Sequence, residues 1–283
     1  MASRHPSDPR GGPSQPVESV PLPHYPARMS ALGVDPAVAA GRPTTLHDRV
    51  LDVLGPAIAA GDLPPGAVLT LDRIEARFEV SRTVAREAVR VLESMGLATG
   101  RRRVGIRVQP REQWNVFDPR VVRWRLAGRG RQEQLHSLTA LRAAVEPPAS
   151  AAAAHHATSE QRERLADLAA AMTISGEAGD LDTFLEQDIA FHGLVLRGSG
   201  NEMFAALADV VAEVLTGRTV NRLMPARPRP EALQGHRAVA AAVVAGDADA
   251  ARDAMQGIVA EVLSRRGLPD RDPLPPVKLR RRG

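Results

Sequence analysis

The chain has 283 residues, 43% of them hydrophobic and 25% charged, with a formal net charge of +4 and only 3% aromatic side chains. That length suggests about two domains at the usual 100 to 200 residues each, and the absence of cysteine excludes disulfides, thiolate metal sites and cysteine nucleophiles. No apolar run approaches the roughly 18 to 20 residues of a membrane span and the N-terminus lacks the apolar centre of a signal peptide, so a cytoplasmic protein without membrane contact is expected.

Residues 1–43 are rich in Pro, Gly, Ser and Arg with scattered apolar side chains, a composition that does not offset the entropy of ordering and predicts a disordered tail. A DNA-binding domain is expected over 44–109. Within it, Leu69 to Phe78 predicts a short amphipathic helix, and Glu79-Val80 leaves room only for a tight turn. Residues Ser81 to Leu92 predict the next helix. Ser81 is its N-cap, Ala85, Ala88, Val89 and Leu92 share one side, and Arg82, Arg86 and Arg90 follow four apart on another. Such a helix packs with one face and can touch phosphates and base edges with the other. Then Met95 to Thr99 and Gly100 to Val108 predict two extended runs around the basic tip Arg101-Arg102-Arg103. Helix, helix and basic hairpin make a winged helix-turn-helix. The arginines alone do not decide between a DNA-reading and a solvated face, since every basic residue here except Lys278 is Arg.

Residues 110–131 read as a linker, in which Pro110 ends the wing and Asp118-Pro119 opens a helix with Pro at its first position. Its Trp114, Phe117 and Trp124 are expected to dock one domain on the other. From 132 to 266 the pattern is Ala-rich with a period of 3.6. It is interrupted at Ala157 to Ser159, Gly176 to Gly179, Gly198 to Asn201, Pro225 to Pro230 and Gly246-Asp247. This predicts about six helices in an all-α antiparallel bundle, for a mostly α chain overall. Residues 267–283 predict a loose, basic, solvated tail.

Inside the bundle, Asp188 and His192 stand four apart on a face that also carries Leu181, Leu185 and Val195. An acid and an imidazole in an apolar stripe form either a buried hydrogen bond or part of a metal site. His236 is the candidate third ligand, and two imidazoles with a carboxylate suit a divalent ion such as Zn or Ni.

The segment from Leu46 to Val108 resembles the DNA-binding domain of the GntR family of bacterial transcription regulators, through Ala60-Gly-Asp-Leu-Pro-Pro-Gly66 at the end of a first helix and Ser-Arg-Thr-Val-Ala-Arg-Glu-Ala-Val over 81–89. The resemblance implies that Arg82 and Arg86 read bases, by bidentate contact to guanine. It also implies that Ser81 and Thr83 bond phosphates, with Arg90 on the same face. Arg101, Arg102 and Arg103 become candidates for phosphate or minor-groove contact. Asp72 stands where many members carry Arg, and Arg103-Val104 where a Gly-Arg wing tip is usual.

The bundle is similar to the FCD group of effector domains, through Leu141 to Pro147, Asp188-Ile-Ala-Phe-His192, Gly198 to Asn201, and His236 followed by Ala245 to Met255. In metal-binding members an Asp, a His four residues on and two later His hold the ion; Asp188, His192 and His236 match three of these, while Ile258 falls at the fourth. The group's effectors are mostly small carboxylates, for which Arg142 is the first and Arg218 the second candidate partner, although Glu146 stands one turn from Arg142 as a competing partner. The linker from Arg111 to Trp124 is similar to that of the family's sugar-acid regulators, which implies an aldonate or related acid. The expected protein is a homodimeric repressor that binds double-stranded operator DNA and is released by that acid. The alternatives are a metal-dependent enzyme using Asp188, His192 and His236, which no general base or nucleophile with a partner supports, and a nonspecific architectural protein.

Overall fold

A computed structural model of the chain describes residues 45–101, 103–221 and 225–264, with side chains as far as 261. The tails expected at 1–43 and 267–283, and Arg102, lie outside the described residues. The chain divides into two compact units between Asn115 and Val116.

The first unit opens with α1 (Leu46–Ala60), set by a capping box between Thr45 and Asp48 and closed by Gly61 in the left-handed region. After β1 (Val68–Leu69) come α2 (Leu71–Phe78) and α3 (Arg82–Ser94), joined through Glu79 at φ 53°. Then follow β2 (Ala98–Arg101) and β3 (Gly105–Val108). The strands form an antiparallel sheet in the order β1-β3-β2, with Leu69 opposite Ile106 and Ala98 opposite Val108. Leu51, Leu54, Leu69, Ile74, Ala85, Ala88, Leu92, Leu97 and Ile106 are buried in this unit. The winged helix-turn-helix expected from the sequence is therefore present. One detail differs: Leu69, expected to start the second helix, is a strand residue. The Thr70 hydroxyl accepts from Arg73 N (3.3 Å), so the cap moves the helix start to Leu71 and frees Val68-Leu69 to complete the sheet.

The second unit contains α4 (Pro119–Ala127), α5 (Arg131–His156), α6 (Ser159–Ala178), α7 (Leu181–Gly198), the single turn α8 (Glu202–Ala205), α9 (Ala208–Val220), α10 (Pro230–Ala245) and α11 (Ala248–Ser264). From α5 onward six of these are long, as the periodicity predicts. Gly176, expected in a loop, lies inside α6, because Leu233 and Phe184 pack where its side chain would be and the left-handed cap falls at Gly179. α11 packs on α5 and α10, while α7 contacts α5, α6 and α9. Their shared core includes Leu165, Met172, Phe184, Phe191, Val195, Val239, Val243 and Met255. Within the expected linker, the Trp114 indole donates to Gln109 O in the first unit (3.0 Å), whereas Trp124 is buried in the second and Phe117 is exposed.

Candidate nucleic-acid interface and candidate effector site

Helix α3 is amphipathic in the way its spacing predicts. Ala85, Ala88, Val89 and Leu92 are buried, while Arg82, Thr83, Arg86 and Arg90 are exposed. Ser81 caps the helix by accepting from Val84 N (3.4 Å), which aims the first-turn N–H groups outward with the positive end of the helix dipole. Arg86 makes no hydrogen bond or ion pair to a described residue, whereas Arg90 donates to Glu87 (2.5 Å). Arg82 Nη1 donates to Asp72 Oδ1 (2.7 Å) and to Glu75 Oε1 (3.1 Å), both on α2. The sequence singles out Asp72 as unusual but not as the partner of Arg82, because ten residues and a turn separate the two. In the wing, Arg101 and Arg103 are exposed, the latter at φ 66°.

In the second unit, α5 contributes Arg142 and Glu146, α7 contributes Asp188 and His192, and α10 contributes His236. All five are buried. The structure thus brings Asp188, His192 and His236 together, with Asp188 Oδ1 lying 3.3 Å from His192 Nε2 and 3.2 Å from His236 Nε2. The two Nε2 atoms are 3.4 Å apart. Each ring is fixed from behind. His236 Nδ1 donates to the Ala232 carbonyl oxygen (2.7 Å), which leaves Nε2 facing the group. His192 Nδ1 lies 2.8 Å from Glu146 Oε2, a charge contact too bent for a well-aligned hydrogen bond.

Three electron-rich atoms converging in a buried place repel one another unless a positive charge joins them. One source is a proton. Burial would lower the His192 pKa, but the Glu146 charge and the bond to Asp188 outweigh it and hold the imidazole up at about 9. Burial likewise opposes ionisation of Glu146, yet Arg142 and His192 bring it down to about 2; the two histidines hold Asp188 well below the ordinary carboxylate range. The other source is a metal ion. Ligand atoms bound tetrahedrally at about 2.0 to 2.1 Å stand roughly 3.3 to 3.4 Å apart, which the spacing of Asp188, His192 and His236 matches, so this group could hold a divalent ion.

The triad lines a cavity of ≈ 50 Å³ together with Arg142, Arg218, Arg229, Ile258 and Glu261 among others. Arg142 is engaged by Glu146 through Nε (2.6 Å) and Nη2 (3.1 Å), the competing pairing foreseen from the sequence. Its Nη1 is buried without a hydrogen-bond partner among the described residues. Arg218 is half-buried at the same cavity. Ile258, at the fourth ligand position of the resemblance, puts an apolar wall there. Arg229 and Glu261 were not anticipated; Glu261 follows Ile258 by three residues on α11, a same-face spacing that the sequence does show.

A winged helix-turn-helix with an exposed arginine face, followed in the chain by an α-helical unit whose cavity is lined by buried ionisable side chains, defines a DNA-binding regulator of transcription with a ligand-sensing domain. Residues 46–108 match the family model described as bacterial regulatory proteins, gntR family, and residues 137–261 match the FCD domain. The chain belongs to the GntR family, with an FCD-type second domain. It is 29% identical over 210 residues to the HTH-type transcriptional regulator YieP of Escherichia coli (strain K12), covering 71% of this chain and 87% of that one. It is also 29% identical over 215 residues to the galactonate operon transcriptional repressor of the same organism, covering 75% and 93%. The solved structure of Lar, which controls expression of the Listeria monocytogenes agr system, shares the fold with a TM-score of 0.52 at 18% identity, covering 78% of this chain and 96% of that one. Members of this family are transcription regulators. No helix among the described residues is long and apolar enough to cross a membrane.

Proposed function

We propose that this regulator is a homodimeric repressor whose second unit senses a small carboxylate, with a sugar acid of the aldonate type favoured. The observation that carries the reading is the buried convergence of Asp188, His192 and His236 beside Arg142. Asp188, His192 and His236 would hold a Zn or Ni ion, which when bound supplies a Lewis-acidic point of attachment for carboxylate and hydroxyl oxygens. Ile258 withholds a fourth protein ligand, which favours an oxygen donor from water or effector there. Arg142, through Nη1, and Arg218 would neutralise the carboxylate. The galactonate repressor among the relatives supports a sugar acid as the class.

An acid bound in the cavity would meet the segment that carries Pro225, Pro228 and Arg229, all of which line it, and would displace it. That displacement is the candidate coupling to DNA release, because an effector shifts a population only through what it does differently in the two states. At the other end of the chain, Arg82, Arg86 and the wing arginines Arg101, Arg102 and Arg103 would contact the operator, with Ser81, Thr83 and Arg90 positioning α3 on phosphates.

The test is fluorescence anisotropy with the DNA upstream of the protein's own gene, at fixed salt and with Zn or Ni supplied. Wild type is compared with the Arg82→Ala/Arg86→Ala variant while a panel of sugar acids is titrated in. Specific binding that the double variant loses and that one acid reverses is the expected result. Binding that survives the variant, or that ignores both sequence and acids, rejects the reading.

A further inference from the structure

The unexpected feature of the DNA-binding unit is where its first arginine is tied. Asp72 and Glu75 stand three residues apart on one face of α2, and both carboxylates take the same nitrogen of Arg82, Nη1. The other two donor positions, Nε and Nη2, form no hydrogen bond or ion pair with a described residue. As a gain in stability such an exposed pair contributes little. What it changes is geometry. A free arginine on a helix surface samples many rotamers and meets phosphates in most of them, whereas one gripped at Nη1 by two acids offers a single planar edge, Nε with Nη2, that fits the O6 and N7 acceptors of guanine.

Resting on the reading of α3 as the recognition helix, we infer that Asp72 and Glu75 are positioning residues that hold Arg82 by Nη1 and commit its remaining edge to one guanine of the operator. Their negative charge acts in the same direction. Facing a DNA backbone they repel phosphate, so the pair lowers affinity for all sequences while raising the preference for the right one. This is discrimination by a penalty on the wrong partner as well as by contact with the right one. It also gives a role to Asp72, which stands where many relatives of this domain carry a cation.

The test uses the full-length protein and duplexes that wild type selects from a randomised library, compared with scrambled duplexes of the same composition and length at one salt concentration. Replacing both acids (Asp72→Asn with Glu75→Gln) is expected to tighten binding to scrambled DNA and to lower the selected-over-scrambled ratio about tenfold. That lies within the roughly 5- to 150-fold worth of one bidentate contact. A library reselected by this variant should lose its guanine preference at one position per half-site and keep the others. Added to Arg82→Ala, the same two changes should lower the ratio no further, since phosphate repulsion falls on both duplexes alike and the acids' effect on the ratio runs through Arg82. Asp72→Glu, which keeps the charge, should retain most of the ratio. A ratio within about twofold of wild type in the acid-free variant, when Arg82→Ala alone lowers it, overturns the positioning role and leaves the recognition helix standing. A ratio unmoved by Arg82→Ala rejects Arg82 as a reader and the proposal with it.

Discussion

At the residue scale, the buried group of Asp188, His192, His236, Glu146 and Arg142 is a balance of charges. With no ion bound, His192 carries the compensating proton, its pKa held at about 9 against burial chiefly by Glu146 and then by Asp188. A group whose pKa is raised on folding adds stability that is complete below its unfolded value, near 6.5, and is lost as pH rises through about 9. The chelator-treated protein should therefore melt at falling temperatures between pH 6.5 and 9, and His192→Gln should flatten that slope. A slope unchanged in the variant would assign the effect to another group. The metal-bound form should behave oppositely in its affinity, which rises with pH over the same range because the ion competes with that proton. Glu146 fixes the His192 ring from behind, and partners of this kind typically contribute 10- to 100-fold to metal affinity. Glu146→Gln should thus weaken zinc binding by about that factor in a competition titration, without removing any of the three ligands. The Asp188-His192 pair was legible from the sequence because four residues is one helical turn. His236 was legible as a third ligand type on a later helix, and the contact of Glu146 with His192 was hidden because the two lie 46 residues apart on different helices.

At the element scale, what the sequence announces is whatever depends on neighbours along the chain. The two faces of α3, the Pro start of α4 and most interhelical turns of the bundle follow from period and capping. What it withholds depends on pairing across distance: β1 is two residues long and exists only because β3 offers Ile106 and Arg107 as partners. The same holds for the seat of the wing. Gly96 follows α3 at φ 70°, and a side chain there would meet the Gln113 carbonyl oxygen at 2.1 Å, while Asn115 N donates to Met95 O (2.8 Å). The segment after the wing thus lies directly on the turn that precedes it. Gly96→Ala meets both an unfavourable backbone region and a backbone atom that cannot step aside. It should destabilise the first unit by about 2 kcal/mol or more, seen as a lowered midpoint in urea unfolding followed at Trp114, with Trp124 replaced by Phe to isolate the signal. An unchanged midpoint would mean that the 111–115 segment is not held against the turn in solution.

At the scale of the whole molecule, the proposed release requires that an acid bound in the second unit change the DNA affinity of the first. No contact between them needs to be specified to state what the coupling must obey. If the acid binds the DNA-free arrangement better, operator DNA must disfavour the acid by the same factor, since the two effects are one coupling free energy seen from either side. Moving the population from almost wholly bound to almost wholly released takes about 5.5 kcal/mol of differential binding, a factor of roughly 10⁴. That is more than one surface contact supplies. It is within reach of an acid that joins the Asp188-His192-His236 group and the unpartnered Nη1 of Arg142 in one arrangement and loses one of them in the other. Calorimetric titration of the inducing acid into metal-loaded protein, free and then saturated with operator, measures the coupling from the effector's side; anisotropy at saturating acid measures it from the DNA's side. The two factors should agree, and Arg142→Lys, which keeps the charge but not the fork, should shrink both together. Equal affinity for the acid with and without operator, in a protein whose DNA the acid releases, would mean that release proceeds by competition at the DNA-binding unit itself, and the buried site would then have no part in it.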